Sequence, residues 1–125
     1  MNTGLKGQVE FIVDESASAK SMGSGALYVL ATPKMIAMME KAAWESVQPD
    51  LEEGFGTVGT MMNVTHDAAT PLGMKVTCVS ELTAVDGRKL TFSLEAFDER
   101  GLIGKGVHER FIVNNEKFQT KTNQK

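Results

Sequence analysis

Cysteine occurs once, at Cys78, so the chain cannot close an internal disulfide, and histidine occurs only twice, at His66 and His108. Two histidines without a Cys or carboxylate cluster at ligand spacing leave no metal site to predict. Basic residues are not in excess: 13 Lys and Arg stand against 16 Asp and Glu, a net charge of -3. That balance lacks the cationic footprint of a phosphate-backbone binder, and nucleic acid is not expected as a partner. No apolar run approaches the roughly 20 residues that cross a bilayer as a helix, so no membrane partner is expected either. Met1–Glu10 has no apolar core followed by a small-residue cleavage site, which together with the lone cysteine predicts a cytoplasmic protein. Glycines at Gly4, Gly7, Gly23, Gly25, Gly54, Gly56 and Gly59 form no G-x-G-x-x-G between a strand and a helix, so no nucleotide cofactor is implied.

What remains is an ordinary globular composition, 42% hydrophobic and 23% charged over 125 residues, enough for one domain with its own core. Val9, Phe11 and Val13 alternate with Gln8, Glu10 and Ile12, which predicts a strand over 7–13. Asp14–Gly25 shows neither period and reads as a long connection, a candidate substrate cover. Thr32-Pro33 then looks like a helix start, with Thr32 as N-cap and proline in the first turn, where its missing N–H costs nothing. The helix is predicted over Pro33–Val47, ended by Pro49, with Met35, Ile36, Met39, Ala42, Ala43 and Val47 on one arc and Lys34, Lys41, Glu45 and Gln48 opposite. Met38 falls on the polar side and hints at a partner surface.

Four further strands are predicted over 57–66, 74–85, 89–97 and 102–113, with Asp86-Gly87 as a hairpin turn. Simple alternation in the first of them puts Val58, Thr60, Met62, Val64 and His66 on one face and Gly59, Met61, Asn63 and Thr65 on the other. Asn114–Lys125 is polar and reads as a tail that frays or adds a short extension. The architecture is therefore α+β, a single domain spanning 1–125 with an antiparallel sheet of about five strands wrapped around one central helix.

One residue breaks the helix pattern. Glu40 lies four after Ile36 and three before Ala43, on the apolar arc, and its carboxylate is expected to be largely buried. Such a group is costly unless hydrogen-bonded or paired, and burial disfavours its charged form; the alternative is a stem on the arc with the head reaching water. Gly59 inside a strand marks either a bulge or the close approach of another group. Cys78 alternates with Val76 and Ser80 and reads as a buried structural thiol. His108, beside Glu109 and Arg110, reads as facing solvent or another subunit.

The runs Ala31-Thr32-Pro33, Met38-Met39-Glu40, Gly59-Thr60, Val64-Thr65-His66-Asp67-Ala68-Ala69-Thr70-Pro71-Leu72-Gly73, Asp86-Gly87-Arg88-Lys89-Leu90 and Ile103-Gly104-Lys105-Gly106-Val107-His108-Glu109-Arg110 resemble their counterparts in the fluoroacetyl-CoA thioesterase family, from about Leu30 to Phe118. The resemblance implies the hotdog fold, a homodimer with sites at the subunit interface, and acyl-CoA thioester hydrolysis, with CoA arriving as part of the substrate and no separate cofactor. It implies a catalytic set of Thr32, Glu40 and His66, with Gly59 and Arg110 contacting substrate. Met22–Tyr28 lacks the run of bulky aromatics that precedes the helix in the family's name-giving member, so hydrolysis of a short or modified acyl-CoA is implied, but selectivity for a fluorinated acyl group is not. The chemistry suits these residue types: hydrolysis needs a nucleophile or base, an oxyanion donor and a proton for the departing thiolate. Two other readings stay open on the residues alone, a hotdog hydratase or dehydratase and a non-catalytic module that binds acyl-CoA or a small ligand.

Overall fold

Period-two alternation and the turn residues between the segments build five strands: β1 (Lys6–Ile12), β2 (Phe55–His66), β3 (Lys75–Asp86), β4 (Lys89–Asp98) and β5 (Gly101–Asn114). A computed structural model of the chain describes all residues, Met1–Lys125. The strands form one antiparallel sheet in the order β1-β3-β4-β5-β2, so β1 and β2 are its edges. Across one face lies the long helix, which runs from Thr32 to Val47 and is α2 in chain order. Met35, Met39, Ala43 and Val47 are fully buried there in one core with Val76, Leu82, Leu90, Phe92 and Leu94, each large side chain contributing on the order of 1.5–3 kcal/mol by leaving water. Cys78 belongs to the same core, and burial pushes its thiol up to about 12, so it stays protonated and inert. Met38 does not lie on a polar face: it is half-buried and packs against the core.

Three local departures from the sequence expectations matter. The connection over 14–25 is folded, not irregular. Asp14 caps a short 3-10 turn (Glu15–Ala17) by accepting from the Ala17 amide, Ser18 caps α1 (Ala19–Met22) by accepting from Ser21, and Gly23 ends α1 in the left-handed region at φ 74°. Elements of three and four residues are too short to express a period. The polar tail likewise forms α3 (Asn115–Asn123), capped by Asn114 and exposed throughout. Thr32 does not cap α2; Ala31 is the N-cap and no side chain serves there, which leaves the Thr32 hydroxyl free for another partner.

A bulge in β2 decides which side chains share a face. Gly59 pairs with Arg110 and Met61 with Glu109, so Thr60 is one extra residue. Beyond it the register carries Met62 opposite His108, Val64 opposite Gly106 and His66 opposite Gly104. Paired residues in an antiparallel ladder point to the same side, and the bulge therefore returns Gly59 to the helix-facing side with Met62, Val64 and His66. Strict alternation had put it on the opposite face. Two of the three glycines of β5 sit under crowded backbone: a Cβ on Gly104 would lie 2.5 Å from the Thr65 carbonyl oxygen, and one on Gly106 would collide with that of Asn63.

Candidate active site

Thr32 opens α2 and His66 ends β2, and the fold joins them. Thr32 Oγ1 lies 2.8 Å from His66 Nδ1, a bond that the freed N1 hydroxyl can make because Ala31 takes the cap position. The opposite ring nitrogen, Nε2, is buried without a hydrogen-bond partner. With the proton on Nε2, Nδ1 accepts the hydroxyl hydrogen of Thr32 and Nε2–H is the available donor; with the proton on Nδ1 the roles reverse. Around the pair is a cleft of about 230 Å³ whose apolar wall includes Ala19, Val29, Leu30, Ala68 and Ala69. The start of a helix adds unpaired amides and the positive end of its dipole.

Glu40 sits two turns further along α2 in a second cluster. Its Oε2 is 3.5 Å from Arg110 Nη1 and 4.0 Å from His108 Nε2. Arg110 is held from three sides: Nε donates to Thr57 Oγ1 at 2.7 Å, Nη2 to the Thr57 carbonyl at 3.0 Å, and Nη1 lies 3.1 Å from His108 Nε2. His108 Nδ1 is 2.8 Å from the carbonyl oxygen of Met61. That oxygen can only accept, which puts the ring proton on Nδ1 and leaves Nε2 as the acceptor for Arg110. Burial is the largest influence on His108 and lowers its pKa below the ordinary imidazole value; the Met61 carbonyl opposes it, Arg110 adds to it and Glu40 opposes it. Burial also pulls Arg110 down, against the Glu40 carboxylate.

The site residues expected from the sequence thus fall into two groups. Glu40, Gly59 and Arg110 meet, Thr32 and His66 meet, and the groups are separate within one chain. Thr32 and Glu40 are eight residues apart on one helix, a rise of about 12 Å. Glu40 is not largely buried: its side chain is 40% exposed while that of Arg110 is 8%, because the stem follows the apolar arc and the head stops at the rim of a cleft lined by Gly59, Thr60, Met61, Met62 and His108. His108 does not face outward. It is 1% exposed, turned inward beside Arg110 by the same alternation along β5, and together with Thr57 it is the part of the site that sequence reasoning missed. The signal was the i, i+2 spacing of His108 and Arg110, unreadable until the bulge at Thr60 fixes what lies opposite.

Gly59 answers both readings of a strand glycine: it adjoins a bulge and it is closely approached. A Cβ there would lie 2.9 Å from Glu40 Oε2, 3.3 Å from His108 Cε1 and 3.4 Å from Arg110 Nη1. The Glu40 head is a flexible side-chain end, so Gly59→Ala is expected to keep the fold, with its melting temperature within a few degrees, while moving the carboxylate enough to lower turnover about 10²-fold. Gly106→Ala, which meets backbone instead, is expected to lose about 1–3 kcal/mol of stability. Paired melting and turnover measurements on the two variants separate site from scaffold; equal losses of stability would contradict the assignment of Gly59.

Comparisons with known proteins identify the family and the fold. The chain is 45% identical over 97 residues to a fluoroacetyl-CoA thioesterase of Streptantibioticus cattleyicolor, covering 78% of this chain and 70% of that one. Its fold superposes on the solved structure of a fluoroacetyl-CoA thioesterase with a TM-score of 0.94 at 37% identity, covering 100% of this chain and 97% of the other. A Thermus thermophilus protein described as a thioesterase superfamily member matches at 28% identity and a TM-score of 0.90, over 98% of this chain and 91% of that one. Residues 13–116 match the family model of the fluoroacetyl-CoA-specific thioesterases, and the chain belongs to that family, with its hotdog fold.

Proposed function

We propose that the protein is a thioesterase that hydrolyses a short or modified acyl-CoA to the free acid and CoA, in a homodimer whose sites each draw on two copies of the chain. The observation that carries the reading is the Glu40 carboxylate, ionically held by Arg110 yet open to a cleft, with Gly59 beside it. A solved Thr-to-Ser variant of the fluoroacetyl-CoA thioesterase, 35% identical with a TM-score of 0.94 over 99% of this chain and 98% of its own, is a complex with acetyl-CoA, which supports an acyl-CoA of that size as the substrate class here.

The spacing supports the dimer. β2 pairs only with β5, so along its twelve residues alternate backbone groups face outward without a strand partner, the kind of edge that a second copy covers. The reading requires β2 to pair antiparallel with its own copy about an axis at Asn63, which sets Met62 opposite Val64 of the partner subunit. Past the bulge at Thr60, it sets Gly59 opposite His66 of the partner subunit, face for face. Opposed Cβ positions lie about 4.5–5.5 Å apart, and Glu40 already touches the Gly59 position. The Thr32–His66 pair of one protomer then faces the Glu40–Arg110 cluster of the other, and the separation within one chain is removed.

In that composite site Glu40 attacks the thioester carbonyl, or takes a proton from a water that attacks it. By the first route an acyl–Glu40 anhydride forms as the C–S bond breaks, and water then cleaves the anhydride; by the second the acid forms directly. Either way the thiolate leaves with a proton from His66, whose Nδ1 bond to Thr32 orients the ring. The backbone N–H at Gly59 and the amides at the start of α2 are the donors for the developing oxyanion. The test is thiol release over a panel of acyl-CoAs that includes acetyl-CoA, fluoroacetyl-CoA and an enoyl-CoA. Thiol release from the short saturated esters is expected; hydration of the enoyl-CoA without thiol release, or tight binding without turnover across the panel, would overturn the reading in favour of a hydratase or a binding module.

A further inference from the structure

Arg110 has more hydrogen-bonding capacity than Glu40 uses. Two of its three nitrogens, Nε and Nη2, are committed to Thr57 on β2. Only Nη1 faces Glu40, at 3.5 Å, longer than the 2.7–2.9 Å of a closed charge-assisted bond. The same Nη1 makes its shorter approach, 3.1 Å, to His108 Nε2. A bidentate Arg–carboxylate pair would occupy both oxygens of Glu40; this arrangement occupies one, loosely.

We propose that His108 is a positioning residue whose Nε2 lone pair holds the Arg110 guanidinium back from Glu40, so that the carboxylate keeps a compensating charge while its reactive oxygen stays uncovered. The proposal rests on the thioesterase reading for its consequence in turnover, and on geometry alone for the His108–Arg110 link. The ring is well placed for the task. Its Nδ1–H is fixed on the Met61 carbonyl, it is 1% exposed, and Phe92 on β4 lies 6.1 Å away, centroid to centroid. The charged groups facing it are Arg110 on its own strand and Glu40 on α2; β2 turns the Met61 carbonyl and Met62 toward it, and β4 turns Phe92, none of them charged. A proton on Nε2 would remove the acceptor and set two cations side by side, and Arg110 would then be released toward the carboxylate. The fall in His108 pKa that burial causes keeps the lone pair available at neutral pH.

Two substitutions divide the imidazole between them. His108→Gln carries an amide oxygen to about the Nε2 position and retains an acceptor for Arg110, whereas His108→Asn reaches only the Met61 carbonyl and retains the bond to the strand. If the ring serves Arg110, the Gln variant keeps kcat within about threefold and loses one ionisation from the acid limb of its pH profile. The Asn variant loses about 10- to 100-fold in kcat with KM little changed. If the ring only braces the strand, the order reverses, and that result overturns the proposal. Nitrogen NMR supplies a readout that needs neither substrate nor turnover. The wild-type spectrum should show the Nδ1–H tautomer of His108 and slowly exchanging protons on Arg110 Nη1; those Nη1 protons persist in the Gln variant and vanish in the Asn variant, while the Nε proton held by Thr57 persists in both. An Nε2–H tautomer, or Arg110 Nη1 signals indifferent to both substitutions, would overturn the proposal even in a protein that proved to hydrolyse no thioester, whereas absent turnover with the expected spectra would count against the thioesterase reading alone.

Discussion

Glu40→Gln is expected to lower kcat on a short acyl-CoA by about 10²–10⁴-fold while the melting temperature stays within a few degrees of wild type. The two halves of that expectation have separate physical grounds. Gln matches Glu in volume, so the change opens no cavity, and although Arg110 loses its carboxylate, the Glu40 head is 40% exposed and the pair lies at the rim of an open cleft where that loss is moderated by solvent. Arg110 keeps three of its four contacts, to both acceptors on Thr57 and to His108, and an ion pair at 3.5 Å with one partly exposed member stabilises little. The chemistry has no such redundancy. An amide can neither attack the thioester nor take a proton from water, and no second carboxylate stands in the Arg110 cluster. Thiol release and thermal unfolding measured on one preparation check both halves; near wild-type turnover would remove Glu40 from the reaction by either route.

His66→Ala is expected to lower kcat by a comparable factor, about 10²–10⁴-fold, and for a different reason. The ring sits half-buried at the end of β2 with one nitrogen on Thr32 and the other buried and unpartnered. Removing it takes away the only imidazole at the start of α2 and with it the proton source for the thiolate. The loss should ease for acyl derivatives whose leaving group is a more acidic thiol, since these need less protonation; uniform slowing across leaving groups would point instead to lost orientation of Thr32.

Much of this architecture is legible in the residues, and the exceptions share a cause. The five strands and the long helix appear within a residue or two of their predicted limits because each carries enough residues to show its period, and Cys78 reads as core for the same reason. Thr60 carries no mark that distinguishes it from a paired strand residue, yet as the extra residue of a bulge it reverses the facing of Gly59. Thr32 has the composition of an N-cap; Ala31 takes that position, and the hydroxyl goes to His66. Glu40 betrays itself by standing on an apolar arc, but how deeply its head is sunk depends on where the arc meets the sheet rim. His108 looked outward because its inward turn, and the acceptor it offers Arg110, depend on a cross-strand register that only the fold supplies. Functional side chains here come from pairs distant in sequence, and pairing is the information a single chain states least.

The claim on which the composite site depends is that Glu40 and His66 act together across a two-fold axis, each from a different subunit. Mixing Glu40→Gln with His66→Ala subunits, unfolded together and refolded at equal concentrations, tests it directly. In a heterodimer one site then inherits both substitutions and the other inherits neither. Statistical reassociation should restore about a quarter of wild-type turnover to two proteins that are each inactive, as isologous two-fold symmetry requires. A mixture as inactive as its components, with heterodimers confirmed by mass, would show that each site is built within one chain and would contradict the account.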